Sequence, residues 1–417
     1  MTTQQAKLPA SQLENKLNEL NQYKIDLGLD RLHQVLQRLK LSEPQQQIIT
    51  VGGTNGKGST VAALSSLLTT QGKSYGAFTS PHIFKFNERI NIDGRLATDD
   101  EILEAFEMID AAKAAINLSY FEYAFLAAVI IFKQQGVDVM LLEVGLGGRL
   151  DATNALDADA CVITTVDIDH TEWLGDSIDK IAQEKAGIMR ANMPVVYGDT
   201  DMPSAIDDQA NKLNAKLIQL DKDFQFQLND QSFSYQLEKH SYIDLNRPQL
   251  KGDWQIKNFS SALTALLSLG YCFNTEQVQQ AINGWQIQGR LQTIQDKPLV
   301  LADVAHNRQS VKQLVQYLKD NPIKGQTRAV FSVLADKDLD SWIGDLDEVI
   351  DHWFTFELTN SRAMDVLSLK TILANHVTLS SQFESAKYAY EMTLRCSEPE
   401  DRVIVFGSFH VLEEVFK

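Results

Sequence analysis

The chain has 417 residues, 44% hydrophobic and 22% charged, with a formal net charge of −17. That length holds two or three ordinary domains, each able to bury its own core, and the acidity excludes nonspecific nucleic-acid binding and attraction to an anionic membrane. Met1–Ala10 is polar, the longest apolar run, Ala124–Phe132, is too short to span a bilayer, and Cys161, Cys272 and Cys396 form no C-x-x-C pair, so a cytoplasmic protein with small-molecule partners is expected.

In chain order, the apolar, β-branched run Ile48–Val51 reads as a buried strand and Val61–Thr70 as the helix after it. Thr98-Asp99-Asp100-Glu101 is a capping box opening a helix to about Ile116. Val137–Val144, Ala160–Val166 and Pro194–Tyr197 are further buried strands, and strands alternating with helices imply a mostly parallel sheet covered on both faces. Phe224–Leu228 and Phe233–Leu237 alternate with period two around Asn229-Asp230, which predicts an inserted antiparallel hairpin. A helix follows at Ser260–Leu269. The pattern then restarts with strands at Leu299–Val304, Ala329–Leu334, Trp353–Leu358 and Val403–Phe406, and helices at Val311–Leu318 and Ala386–Cys396. The expectation is an α/β chain: a P-loop-type ATPase unit over residues 1–290 and a smaller Rossmann-like unit over 291–417, the boundary falling within about four residues of Ile294.

The densest chemistry lies between the first strand and helix. Gly53-Thr54-Asn55-Gly56-Lys57-Gly58-Ser59-Thr60 has the strand–loop–helix context of a phosphate-binding loop: glycines curl the backbone so that N–H groups converge on phosphate oxygens, and the helix N-terminus adds partial positive charge. Lys57 is placed to reach terminal phosphates and a following hydroxyl to hold Mg²⁺. The loop is a variant of G-x-x-x-x-G-K-[ST], with Val51 at the first glycine position and Gly58 between Lys57 and Ser59. Glu143 ends a strand, where α/β folds bind ligands; it suits either a metal ligand or a cap of the glycine turn after it. His170 ends the next strand; alone it reads more readily as structural, and beside a phosphate loop as a ligand. Ser80 is equally a hydroxyl ligand or a turn residue, and Lys185 by itself is an ordinary surface lysine.

Taken together, GTNGKGST, TSPHIFKFNERI, SYFEYAFL, LEVGLGGRLDATN, DHTEWLG, EKAGI, Gly289-Arg290 and DVAHN resemble the dihydrofolate synthase/folylpolyglutamate synthase family, within the Mur-ligase superfamily of ATP-dependent amide ligases. The resemblance runs from about Leu13 to Val411. Ile25-Asp26-Leu27-Gly28-Leu29 and Ser119-Tyr120-Phe121-Glu122 resemble the bifunctional bacterial form.

The resemblance implies addition of L-glutamate to dihydropteroate and to tetrahydrofolates through an acyl phosphate. It implies ATP phosphates on Thr54, Asn55, Gly56, Lys57, Gly58 and Ser59, and further nucleotide contacts from Asn258, Arg290 and Asp303. Two Mg²⁺ sites are implied, drawing on Ser59, Ser80, Glu143 and His170, with a CO₂-derived carbamate on Lys185 as an added anionic ligand. Lys57, Glu143, His170 and Lys185 are the implied catalytic set. Lys24, Ile25, Asp26, Leu27, Ser119, Tyr120, Phe121, Glu122, Leu150, Asp151 and Ala152 resemble the pteroate-binding segments. A monomer closing about Gln288–Asp296 is expected. Arg308 replaces the family's usual Pro, and Trp254-Gln255 its usual His-Gln or Pro-Gln. The alternatives are a monofunctional folylpolyglutamate synthase, a cell-wall Mur ligase, for which about fifty residues before the loop are too few to form a uridine-nucleotide domain, and a noncatalytic nucleotide-dependent regulator.

Overall fold

The computed structural model describes residues 11–20 and 27–417. Its larger sheet contains β1 (Gln47–Gly52), β2 (Tyr75–Phe78), β3 (Ile90–Ile92), β4 (Arg95–Leu96), β5 (Val139–Glu143), β6 (Ala160–Ile163), β7 (Pro194–Tyr197) and β8 (Lys216–Gln219), ordered β4-β3-β2-β5-β1-β6-β7-β8. The pairings from β2 through β8 are parallel, and β3 and β4 add an antiparallel edge. β1 lies at the centre of this sheet, with Val51 beside Glu143 of β5 and Gly52 beside Ile163 of β6.

Helices cover both faces, as buried parallel strands require. On one face, helix Lys57–Thr70 shares a core with helices Trp254–Ser268 and Thr275–Gly284 through Leu64, Leu67, Leu263, Leu266 and Trp285. On the other, helix Tyr120–Gln135 lies between the sheet and helix Asp99–Lys113 and is buried from Tyr123 through Phe132 on every side. This explains the run Ala124–Phe132: it is the middle of a core helix. No helix among the described residues is long and apolar enough to cross a membrane.

The expected hairpin is present as β9 (Phe224–Leu228) and β10 (Ser232–Leu237), and a third antiparallel strand, β11 (His240–Asn246), extends it to a small sheet. β11 escaped the sequence pattern because its exposed positions include Ile243, 71% exposed, which blurs the alternation.

The second sheet contains β12 (Gln292–Asp296), β13 (Leu299–Ala302), β14 (Thr327–Phe331), β15 (His352–Thr355), β16 (Ser380–Gln382) and β17 (Arg402–Phe406), ordered β12-β13-β17-β14-β15-β16. Only β12 is antiparallel. Gln292–Asp296, expected within the hinge, is therefore a strand held by main-chain bonds to β13, because Ile294 and its neighbours complete the edge of the second sheet. Helices Arg308–Asp320 and Ala386–Arg395 cover opposite faces of this sheet.

Candidate active site

Adjacent parallel strands β2, β5, β1 and β6 end at one edge of the larger sheet; Glu143 is the last residue of β5, and the loops after β2, β1 and β6 carry Ser80, the glycine loop and the Asp167–His170 segment. This is the crevice beyond the strand ends where α/β sheets take ligands. A cavity of about 600 Å³ opens there, walled on its far side by loops of the second sheet. Of the described residues singled out from sequence, all but Tyr120 line it. The helix bearing Tyr120 is buried all round, so its sequence does not say which face meets the cavity; Tyr120 instead lies under Arg89, whose guanidinium is 5.4 Å from the ring centre.

Gly56 caps helix Lys57–Thr70 with φ +89° and offers no side-chain cap, so first-turn N–H groups of that helix are left for an anion. A side chain at Gly56 would meet Asn258 Oδ1 at 2.4 Å, which explains a glycine there. Lys57 folds back, its Nζ donating to the carbonyls of Gly53 (3.0 Å) and Thr54 (3.1 Å); burial lowers its pKa against the pull of Glu143 and Asp169. Ser59 is buried.

Glu143 is 4% exposed and accepts the Ser80 N–H at 3.0 Å. Burial raises its pKa, opposed by Lys57, the Ser80 amide and Arg290. Lys185, in helix Ile178–Ala186, is also 4% exposed; burial and then Lys57 lower its pKa to about 7, against Asp169. His170 stands at φ +52°, and burial holds its pKa at about 4, against Asp169. Among the described residues no three His, Cys, Asp or Glu side chains gather into a ready metal site.

At the junction, Arg290 faces Asp303 electrostatically and lies 5.4 Å from the Phe409 ring centre. Asp303 accepts the N–H groups of Leu291 (2.8 Å) and Ala305 (2.7 Å). Asn258 donates to Gln255 Oε1 at 3.1 Å, while the buried Gln255 Nε2 has no partner.

At the other end of the cavity, Phe121 packs 5.5 Å from Phe78 and against Gly145, where a Cβ would fall 2.5 Å from the Phe121 ring. Leu27, Leu150 and Ala152 also line this end. Ser119 and Glu122 close a capping box, and Glu122 also accepts from Arg31 Nε at 2.9 Å. Asp151 accepts from the amides of Gly145, Leu146 and Thr153 and from the Thr153 hydroxyl, so its oxygens brace the glycine turn. Lys24, Ile25 and Asp26 lie outside the described residues.

The Mur ligase middle-domain family matches residues 51–266, and the Mur ligase glutamate-ligase-domain family matches residues 289–409. A curated Escherichia coli protein, dihydrofolate synthase/folylpolyglutamate synthase, is 35% identical over 415 residues, covering 100% of this chain and 96% of its own length. The chain belongs to the dihydrofolate synthase/folylpolyglutamate synthase family. It is thus a ligase forming carbon–nitrogen bonds. A Haemophilus influenzae member of the family is 36% identical over 410 residues, covering 94% of this chain and 93% of its own. Among solved structures of the family, E. coli FolC in complex with DHPP and ADP matches with a TM-score of 0.92 at 35% identity, over 97% of both chains. A bifunctional family enzyme with Mn, AMPPNP and L-glutamate bound matches with a TM-score of 0.90 at 36% identity, again over 97% of both.

Several lining residues had no assigned role in the sequence reading: Arg89, Asp169, Gln255, His306 and Lys337. Arg89, Asp169 and His306 sit inside the family motifs and Gln255 beside the Trp254 departure, which is the available signal; Lys337 belongs to no recognised run.

Of the two departures from the family pattern, Arg308 is exposed in the first turn of its helix, a position that accepts Pro but does not require it. Trp254 packs against the core of the second sheet, and so belongs to the seam between the two sheets.

Proposed function

We propose that this chain ligates L-glutamate to dihydropteroate and to tetrahydrofolates, using ATP to activate the acceptor carboxylate. The observation that carries the reading is the convergence of the phosphate loop, Glu143, Ser80 and the buried Lys185 on one sheet edge, facing Arg290 and Asp303. A carboxylate is a poor electrophile because its leaving group would be oxide; transfer of the γ-phosphoryl group from ATP converts it to an acyl phosphate and releases ADP, and the glutamate amine then attacks the acyl carbon, expelling inorganic phosphate and losing a proton as the amide forms.

Backbone N–H groups at the start of helix Lys57–Thr70, with Lys57 swung from its carbonyl contacts, bind the phosphates and stabilise charge developing at the γ-position. Thr54, Asn55, Gly56, Gly58 and Ser59 shape that cradle. Asn258 and the unpartnered Gln255 Nε2 suit the nucleotide's polar edges, with Arg290 and Asp303 at the seam. The hydroxyls of Ser59 and Ser80 with the single carboxylate Glu143 suit a small hard cation that keeps phosphate and water ligands; His170 and a carbamate on Lys185 suit a second. Bound Mg²⁺ supplies charge neutralisation between carboxylate and phosphate. A lysine with a pKa lowered to about 7 is about half neutral at pH 7, and the neutral amine is the nucleophilic form that adds CO₂. Leu27, Phe121, Leu150 and Ala152 offer an apolar wall for the pterin and aminobenzoyl rings, with Lys24, Ile25 and Asp26 preceding it in the chain; Ser119, Glu122 and Asp151 brace that wall.

Residues 1–290 and 291–417 act as two units, and closure over the cavity excludes water from the acyl phosphate. The chain is read as a cytoplasmic monomer, on the resemblance and its thiol pattern.

The test is ADP release with dihydropteroate, with tetrahydrofolate, and with neither, each with and without glutamate. Glutamate-dependent release with both acceptors is expected. Release with tetrahydrofolate alone would favour a monofunctional enzyme, and none with either would overturn the reading.

A further inference from the structure

The phosphate loop carries a set of bonds that nucleotide binding does not explain. Asn55 Nδ2 donates to Gln309 Oε1 at 2.7 Å and to Asn307 Oδ1 at 3.1 Å, and Asn307 Nδ2 returns a bond to Asn55 Oδ1 at 3.1 Å. Gln309 Oε1 also accepts the Thr165 hydroxyl at 3.1 Å, while the same Thr165 oxygen accepts the Asn55 main-chain N–H at 3.1 Å. The chain of bonds from Gln309 through Thr165 therefore ends on the loop backbone itself. One residue clasps the loop by two routes, one through its side chain and one through its main chain.

Asn307 caps helix Arg308–Asp320 and Gln309 lies in its first turn, so both belong to the second sheet's unit. Asn55 and Thr165 follow β1 and β6 of the larger sheet. A parallel tie runs beside it: Lys337 Nζ donates to Asp169 Oδ1 at 2.8 Å and Asn307 Nδ2 to Asp169 Oδ2 at 3.1 Å. Both sides of the Asp169–Lys337 pair are nearly buried, at 11% and 8% side-chain exposure. A pair held this way resists separation, because parting it leaves a charge incompletely solvated in the crevice.

We propose that Gln309 is a positioning residue for the phosphate loop, making the loop's shape, and hence its affinity for a nucleoside triphosphate, depend on docking of the second unit. This rests on the nucleotide reading of the loop. A loop whose donors are aligned only when the units are docked binds phosphate weakly when they part, so nucleotide is gripped where glutamate ligation is water-protected and released on opening. Linkage requires the converse: bound nucleotide favours the docked arrangement.

The experiment uses the full chain with Gln309→Met and Thr165→Val, singly and together, and measures AMPPNP–Mg²⁺ affinity by calorimetry and hydrogen exchange of the peptide covering residues 52–58 without nucleotide. Each single variant is expected to weaken AMPPNP binding about tenfold, as loss of a positioned hydrogen bond does, and to speed exchange of the loop peptide. The double variant is expected to lose less than the two single losses combined, since both substitutions break the same Thr165–Gln309 bond. Should one substitution prevent folding, the other single variant still reports both quantities. Wild-type binding together with unchanged affinity and exchange in the variants overturns the inference but leaves the ligase reading standing. Additive losses overturn the relay. Absence of wild-type AMPPNP binding overturns the nucleotide reading and this inference together.

Discussion

Lys185 offers the sharpest quantitative test. Burial and Lys57 lower its pKa from 10.5 to about 7, which corresponds to about 5 kcal/mol against the ammonium form relative to water. The sign follows directly: between about pH 7 and 10.5 the unfolded chain binds a proton at this residue that the folded chain does not, so the CO₂-free protein gains stability as pH rises through that window. Below about pH 7 both states are protonated and this contribution to the slope vanishes. The same drop sets reactivity. At pH 6 about a tenth of the amine is neutral and at pH 8 about nine-tenths, whereas an ordinary lysine is less than about 1% neutral at either. Enzyme stripped of CO₂ and then given a fixed concentration of dissolved CO₂ should regain glutamate-dependent ADP release at a rate that rises about tenfold from pH 6 to 8 and then levels. With ¹³C-bicarbonate, a carbamate carbon signal should appear in step and be missing in Lys185→Ala. Recovery that keeps climbing tenfold per pH unit beyond pH 9, or a Lys185→Ala enzyme of normal turnover, would refute the reasoning.

Lys57→Met removes a charge that counts more in the transition state than in the ground state, so turnover should drop about 10²-fold or more while AMPPNP affinity changes less; near-normal steady-state rates would reject the loop assignment. Gly56→Ala places a Cβ 2.4 Å from Asn258 Oδ1 at a φ of +89°; the strained loop should raise the ATP KM about tenfold or more, and an unchanged KM would show that the loop relaxes freely. Phe121→Ala should impair the dihydropteroate reaction by about 1–3 kcal/mol more than the tetrahydrofolate reaction, through a lost ring contact; equal losses accompanied by a lower Tm would reassign the ring to packing.

The helical run Tyr120–Phe132 and the acceptor end of the cavity show how legibility depends on surroundings. Ser119 and Glu122 were assigned to substrate from a motif, yet their side chains form the capping box of a helix start, a role the S-x-x-E spacing also encodes. Asp151 looks free in sequence, but four donors converge on its carboxylate once the glycine turn is folded.

The sequence by itself determined the phosphate loop, the strand that feeds it, the helix that opens from it and the placing of Glu143 at a strand tip, because each depends on residues close together in the chain: glycine torsions, apolar runs, caps. It also determined the family, through motifs spread along nearly the whole length. Only the tertiary structure decided that β2, β5, β1 and β6 stand side by side, which makes one site of Ser80, Glu143, Lys57 and His170. It alone decided that Lys185 is buried with a lowered pKa, since desolvation is a property of packing rather than of spacing. And it alone paired Asn55 with Gln309 and Asp169 with Lys337, across 254 and 168 positions: these bonds join side chains from two separately wound sheets, and no local periodicity records which loops meet when the sheets dock.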